Sequence, residues 1–147
     1  MDIMRMESGF LHWGHDISPE ENQYEAGLNF AISYKKNIDF IGKQALLKIK
    51  EKKQTKKFVM LTLKNSTPGE PLMLHDEPIY VDGKIIGRTT SGNYSFNFNK
   101  NLAFGFLKID EGINFLKNKL IEIEIEKNKY EAEVLDKPLN QKDYKNY

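Results

Sequence analysis

The sequence predicts an α+β fold in two parts: a helix-bearing segment over residues 1–53 and a small antiparallel β-barrel, jelly-roll-like, over residues 54–147. Three observations carry this. Leu120-Ile121-Glu122-Ile123-Glu124-Ile125-Glu126 alternates apolar and acidic residues, the period of a strand with one buried face. Asp82-Gly83 sits between two β-branched runs and is the strongest short hairpin signal in the chain. Helical periodicity, by contrast, stops before a lysine-rich link that ends at Lys57.

In order, Ile3, Met6 and Phe10 recur at helical spacing, with Met4, Leu11 and Trp13 adding apolar bulk, so a helix is expected over 1–14 with Gly14 as its stop. It lacks a capping residue ahead of Met1, which suggests an element that starts further upstream. His15 to Gln23 reads as a loop. Leu28, Phe30 and Ile32 alternate with Asn29, Ala31 and Ser33, which predicts a strand over Gly27–Tyr34. Asn37 to Gly42 turns the chain. Gly42–Lys50 reads as a short helix with Ala45, Leu46 and Ile49 inward.

Beyond the link, Phe58–Leu63 is a strand and Asn65–Pro71 a turn-rich loop containing Pro68-Gly69. Pro78–Val81 and Lys84–Gly87 form the hairpin around Asp82-Gly83. Ser91–Asn101 reads as a polar and aromatic loop, and Leu102–Leu107 as a strand. Asn128 marks a turn between Leu120–Glu126 and the last strand, Tyr130–Leu135. Pro138 closes that strand ahead of a polar, frayed tail.

Composition narrows the function. The 147 residues carry 22 basic and 21 acidic side chains, so the basic surplus expected of a nucleic-acid binder is missing. Lys48, Lys50, Lys52, Lys53, Lys56 and Lys57 crowd one stretch, which reads as a solvated helix end and linker. The absence of cysteine removes disulfides, thiolate metal sites and a cysteine nucleophile. No run approaches the ~18–20 apolar residues of a membrane helix. With no secretory signal either, a cytoplasmic protein is expected.

No nucleophile elbow, zinc-protease motif, P-loop or dinucleotide fingerprint is present. His12 and His15 could share a helix face beside Asp16, but Gly14 between them argues against a metal site. Arg5 matches a carboxylate bidentately, whether a ligand's or an internal one. Phe10 and Trp13 could line a flat aromatic ligand or pack in the core. Arg88-Thr89-Thr90-Ser91-Gly92 follows the hairpin as a turn or a pocket rim. No pair of groups forms an acid/base couple.

Five segments in register resemble the second half of the glycine-cleavage T-protein (aminomethyltransferase) family. They are Arg5-Met6-Glu7-Ser8-Gly9-Phe10, Trp13-Gly14-His15-Asp16-Ile17, Tyr24-Glu25-Ala26-Gly27-Leu28, Asp39-Phe40-Ile41-Gly42-Lys43-Gln44-Ala45-Leu46 and Ile86-Gly87-Arg88-Thr89-Thr90-Ser91-Gly92. Phe10 to Ile17 is most similar to the folate-binding region of dimethylglycine and sarcosine dehydrogenases.

The resemblance implies that residues 1–53 finish a folate-binding domain and that the barrel follows it. It implies tetrahydrofolate as cofactor, with FAD only on an associated dehydrogenase part. Arg5, Phe10, Trp13 and Arg88 would be wall residues of the folate site, with Glu7 holding Arg5. The family's catalytic Asp and pterin-gripping Glu lie in the earlier half, so no catalytic residue and no metal ligand is assigned here. One wall cannot bury a folate, so the chain is expected to be inactive alone. Its partners would be folate and either a second subunit carrying the earlier half or a second copy. The competing expectation is a non-catalytic interaction or dimerisation module.

Overall fold

The computed structural model describes residues 2–35, 38–65, 67–109, 116 and 118–140. Its elements are α1 (Asp2–Glu7), a 3-10 turn (Asn29–Ala31), α2 (Lys43–Glu51) and six strands. The strands are β1 (Lys56–Leu63), β2 (Pro78–Val81), β3 (Lys84–Ser95), β4 (Lys100–Lys108), β5 (Ile121–Ile125) and β6 (Asn128–Leu135). They close in the order β1-β4-β3-β2-β5-β6, with β6 pairing back onto β1 through Leu61↔Val134. The jelly-roll expectation is corrected here. All six strands form one closed antiparallel barrel, and closure removes the free sheet edges.

The interior follows the two-residue period. Ile121, Ile123 and Ile125 point inward from β5, while Glu122 and Glu124 sit half-buried outside. Tyr80 donates to Glu124 at 2.8 Å on that outer face. The Asp82-Gly83 hairpin forms as expected, with φ of 48° and 79°, the positive values that a two-residue hairpin turn of this hand requires. At the β5–β6 turn the residues with positive φ are Glu126 and Lys127, one turn position ahead of the expected Asn128, which instead begins β6.

β4 is buried on both faces, which is why it reads as a continuous apolar run. Ala103 and Leu107 join the barrel core. Leu102 and Phe104 face outward and are covered by Met6 of α1. Each such fully buried side chain stabilises by roughly 1.5–3 kcal/mol. Phe58 packs edge-on against Phe104, with ring centroids 5.1 Å apart.

Three expectations for the first part are corrected. The first helix stops at Glu7, not near Gly14. Gly9 takes φ +75°, its N–H bonds the Met6 carbonyl, and the Phe10 N–H reaches back to the Arg5 carbonyl at 2.8 Å, which closes the helix C-terminus. Gly14 instead turns a tight loop in which the His12 carbonyl accepts from Asp16 N–H. The expected strand over 27–34 is irregular apart from the 3-10 turn. Its Phe30 is 82% exposed, and among the described residues no strand pairs with this segment. In α2 no residue is fully buried; Leu46, Leu47 and Ile49 are half-buried, and Ala45 is exposed.

Lys48, Lys50, Lys52 and Lys53 are exposed as the solvated reading requires, whereas Lys56 pairs with Glu21 at 2.6 Å. Of the expected turn at Asn37–Gly42, Asn37 lies outside the described residues, as does the tail from 141 onward. No helix among the described residues is long and apolar enough to cross a membrane.

Candidate functional site

The stretch expected to be a loop, Ser91–Asn101, is largely strand. β3 runs to Ser95 and β4 starts at Lys100, and Ser91, Tyr94, Ser95 and Asn101 are all buried. Polar residues can be buried in strands only when they are hydrogen-bonded. Here two carboxylates from the first segment contribute, and they define the candidate site.

Asp16 is the first. Its side chain is fully buried and accepts four hydrogen bonds: from Arg5 Nη1 at 2.6 Å, the His12 backbone N–H at 2.8 Å, and Thr90 Oγ1 and Ser91 Oγ at 2.7 Å each. Successive residues of a regular strand point to opposite faces, so Thr90 and Ser91 could not both reach one oxygen. The β3–β4 register shifts between Thr89 and Ser91, and Thr90 is the extra residue. That bulge turns both hydroxyls toward Oδ1 of Asp16. Burial pushes the Asp16 carboxyl up. The Thr90, Ser91 and His12 hydrogen bonds, helped by the Arg5 charge, prevail and hold it below its ordinary value.

Glu7 is the second. It is 3% exposed and accepts from Ser95 Oγ at 2.5 Å and from Asn97 Nδ2 at 3.0 Å. The two carboxylates thus clamp α1 and the loop after it onto the β3–β4 hairpin at two points.

This geometry relocates the residues singled out in the sequence. Arg5 is turned inward. Besides Asp16 it donates to Ser91 Oγ at 2.8 Å and to the Phe10 carbonyl at 3.2 Å. The expected Arg5–Glu7 pairing does not form, since Glu7 serves Ser95 and Asn97. Phe10 and Trp13 are not core residues: they are 67% and 65% exposed. Arg88 is also exposed and pairs with Asp76 at 2.9 Å. Phe10 borders an open groove of about 1190 Å³ between this loop and β1/β6, which Leu28, Phe30, Met60 and Val134 also line. Trp13 and Arg88 are not among its lining residues, so this groove does not gather the whole predicted wall.

Sequence reasoning named Asp16 only beside a metal site that it argued against, and it missed Ser95, Asn97, His75 and Asp76. The available signal was the density of hydroxyl and amide side chains at 89–101, which makes a poor loop tip but a good set of donors. The Asp16 carboxylate is already taken, so it is not free to hold a metal beside His12 and His15. Among the described residues no group of three or more potential ligands is arranged to do so.

The family described as the glycine cleavage T-protein C-terminal barrel domain matches residues 56–140. Mitochondrial dimethylglycine dehydrogenase of Homo sapiens is 34% identical over 95% of this chain and 15% of its own length. An aminomethyltransferase of Listeria innocua is 39% identical over 93% of this chain and 36% of its own length. The crystal structure of glycine cleavage system aminomethyltransferase T from Bartonella henselae superposes with a TM-score of 0.78 over 94% of this chain and 37% of that one. It is 23% identical, a likeness of fold. The chain thus spans 15% of the dehydrogenase and 36% of the aminomethyltransferase.

Proposed function

From the premise that the chain belongs to the glycine cleavage T-protein family through its C-terminal barrel, we propose that it is the C-terminal part of a tetrahydrofolate-dependent aminomethyltransferase or dimethylglycine dehydrogenase-like protein. Such a protein handles one-carbon units from methylated amines or glycine. Residues 1–53 are the end of its folate-binding domain, and residues 54–147 its barrel.

The supporting observation is the presentation of Phe10 and Trp13. Both rings stand in solvent on a loop that Asp16 and Glu7 lock to the barrel. Exposed aromatic rings held at low conformational cost suit a flat heteroaromatic ligand such as a pterin. Arg5, fully engaged inside the clamp, then acts through the loop it shapes. Arg88 is accessible for a ligand carboxylate.

The chain alone presents a wall, and a buried folate site needs another. That wall comes from a second subunit carrying the earlier half, or from a second copy. FAD, where it takes part, belongs to an associated dehydrogenase part, and catalysis uses residues outside this chain.

Calorimetric titration with 5-formyltetrahydrofolate tests this. Saturable binding by the chain mixed with its partner half, weakened by Trp13→Ala, is the expected result. Binding unaffected by Trp13→Ala overturns the wall assignment. A second reading, a dimerisation module without folate, is favoured by the exposure of Phe30, Ile38 and Ile41. A sedimentation measurement giving a dimer that leaves 5-formyltetrahydrofolate unbound would select it.

A further inference from the structure

We propose that His12, His15 and His75, together with Arg88, form a carboxylate-binding subsite. The subsite extends the folate reading, on which it rests only for the identity of the natural ligand.

The chain has three histidines, two of them separated from the third by about 60 residues of sequence. The fold sets all three in one row. The ring centroids of His12 and His15 lie 5.8 Å apart, and those of His15 and His75 lie 5.4 Å apart, edge to face. His12 and His15 ride on the loop clamped by Asp16. His75 sits just before β2, in a segment tied to β3 by the Asp76 N–H on the Thr89 carbonyl at 2.9 Å. The row therefore spans the seam between the loop and the barrel.

Its chemistry is that of an anion acceptor. Nδ1 of His75 lies 2.9 Å from Asp76 Oδ2, and the other oxygen of Asp76 takes Arg88 Nη1 at 2.9 Å. A carboxylate on Nδ1 fixes the ring's orientation, leaving Nε2 free to face an incoming ligand. The ring nitrogens of His12 and His15 make no hydrogen bond among the described residues. Arg88 is 72% exposed and uses one of its five N–H groups on Asp76.

The charged groups around the row are already engaged. Asp16 and Arg5 satisfy each other beneath it. Asp76 is shared between His75 and Arg88. Glu77 turns to the Leu74 N–H and the Thr89 hydroxyl. An incoming carboxylate thus meets Asp16, Asp76 and Glu77 with their charges already engaged, and Arg88 offers the planar fork that matches it.

Glutarate, a dicarboxylate without any ring, is the probe. The full chain would be titrated while the histidine ring protons are followed by NMR. Saturable shifts of the His15 and His75 signals are expected. His15→Gln combined with His75→Gln is expected to abolish saturation while the melting temperature and circular dichroism stay those of the parent. Absence of saturation in the parent overturns the subsite. So does equal affinity in the double variant, or equally tight binding of inorganic phosphate. Loss of 5-formyltetrahydrofolate binding with glutarate binding intact would sink the folate reading and leave the subsite standing.

Discussion

Arg5 and Asp16 meet at 2.6 Å across eleven residues, and this pair fixes the loop that carries Phe10 and Trp13. Arg5 sits in the last turn of α1, where its charge also complements the helix C-terminus. Asp16 passes the connection on to Thr90 and Ser91 of β3. Removing either member leaves the other charge largely buried. Asp16→Ala is therefore expected to destabilise the chain by about 3–5 kcal/mol, and Asp16→Asn by less. Urea unfolding of the purified variants reads this directly. A loss under about 1 kcal/mol for Asp16→Ala would show that the clamp is not a principal stabiliser.

Acid should act through the same carboxylate. The folded state holds Asp16 below its ordinary value, so it binds that proton less readily than the unfolded chain. The resulting stability is fully present above the ordinary aspartate range. It is lost as pH falls through the lower folded value. Stability measured from about pH 5 down to about pH 2 should fall less steeply in Asp16→Asn than in the parent. Identical slopes would place the acid sensitivity elsewhere.

Glu7 tests the second clamp point. Ser95→Ala removes the shorter of the two hydrogen bonds to Glu7 Oε1 and is expected to cost about 1–3 kcal/mol. Asn97 would still reach both oxygens, at 3.3 and 3.0 Å. Hydrogen exchange at the β3–β4 hairpin should rise in the variant. Exchange confined to its parent rates would mean that Glu7 does not order the hairpin.

Gly9→Ala should fail for two reasons at once. The residue has φ +75°, and an added Cβ would come within 2.5 Å of Cγ of Pro138. A loss of at least about 1 kcal/mol is expected, with strain and overpacking both contributing. Gly14→Ala shares the positive φ but meets nothing within 4 Å, so its cost should be the smaller of the two. Paired thermal melts decide the order.

Trp13→Ala separates structure from recognition. The ring is 65% exposed, so stability should change by no more than about 0.5 kcal/mol. The same substitution is expected to weaken 5-formyltetrahydrofolate binding in the complete complex by about tenfold, the scale of one aromatic contact. Equal affinities would remove Trp13 from the ligand wall.

Local sequence by itself determined the barrel's regular parts. The Ile-Glu alternation of β5, the Asp82-Gly83 hairpin and the unbroken apolar run of β4 are read correctly because period and turn chemistry are local properties. Tertiary structure decided what the polar residues do. The alternation at Gly27–Tyr34 predicted a strand, yet Phe30 lies in solvent and no strand among the described residues pairs with it. Ser91 and Ser95 look like loop residues until Asp16 and Glu7, 75 and 88 positions away, arrive to accept their hydroxyls. Whether Arg5 faces a ligand or the interior, and whether three scattered histidines share one surface, depends on partners brought close only by closing the barrel. Burying a polar group is tolerable only once its distant partner is in place, and no window along the chain contains both.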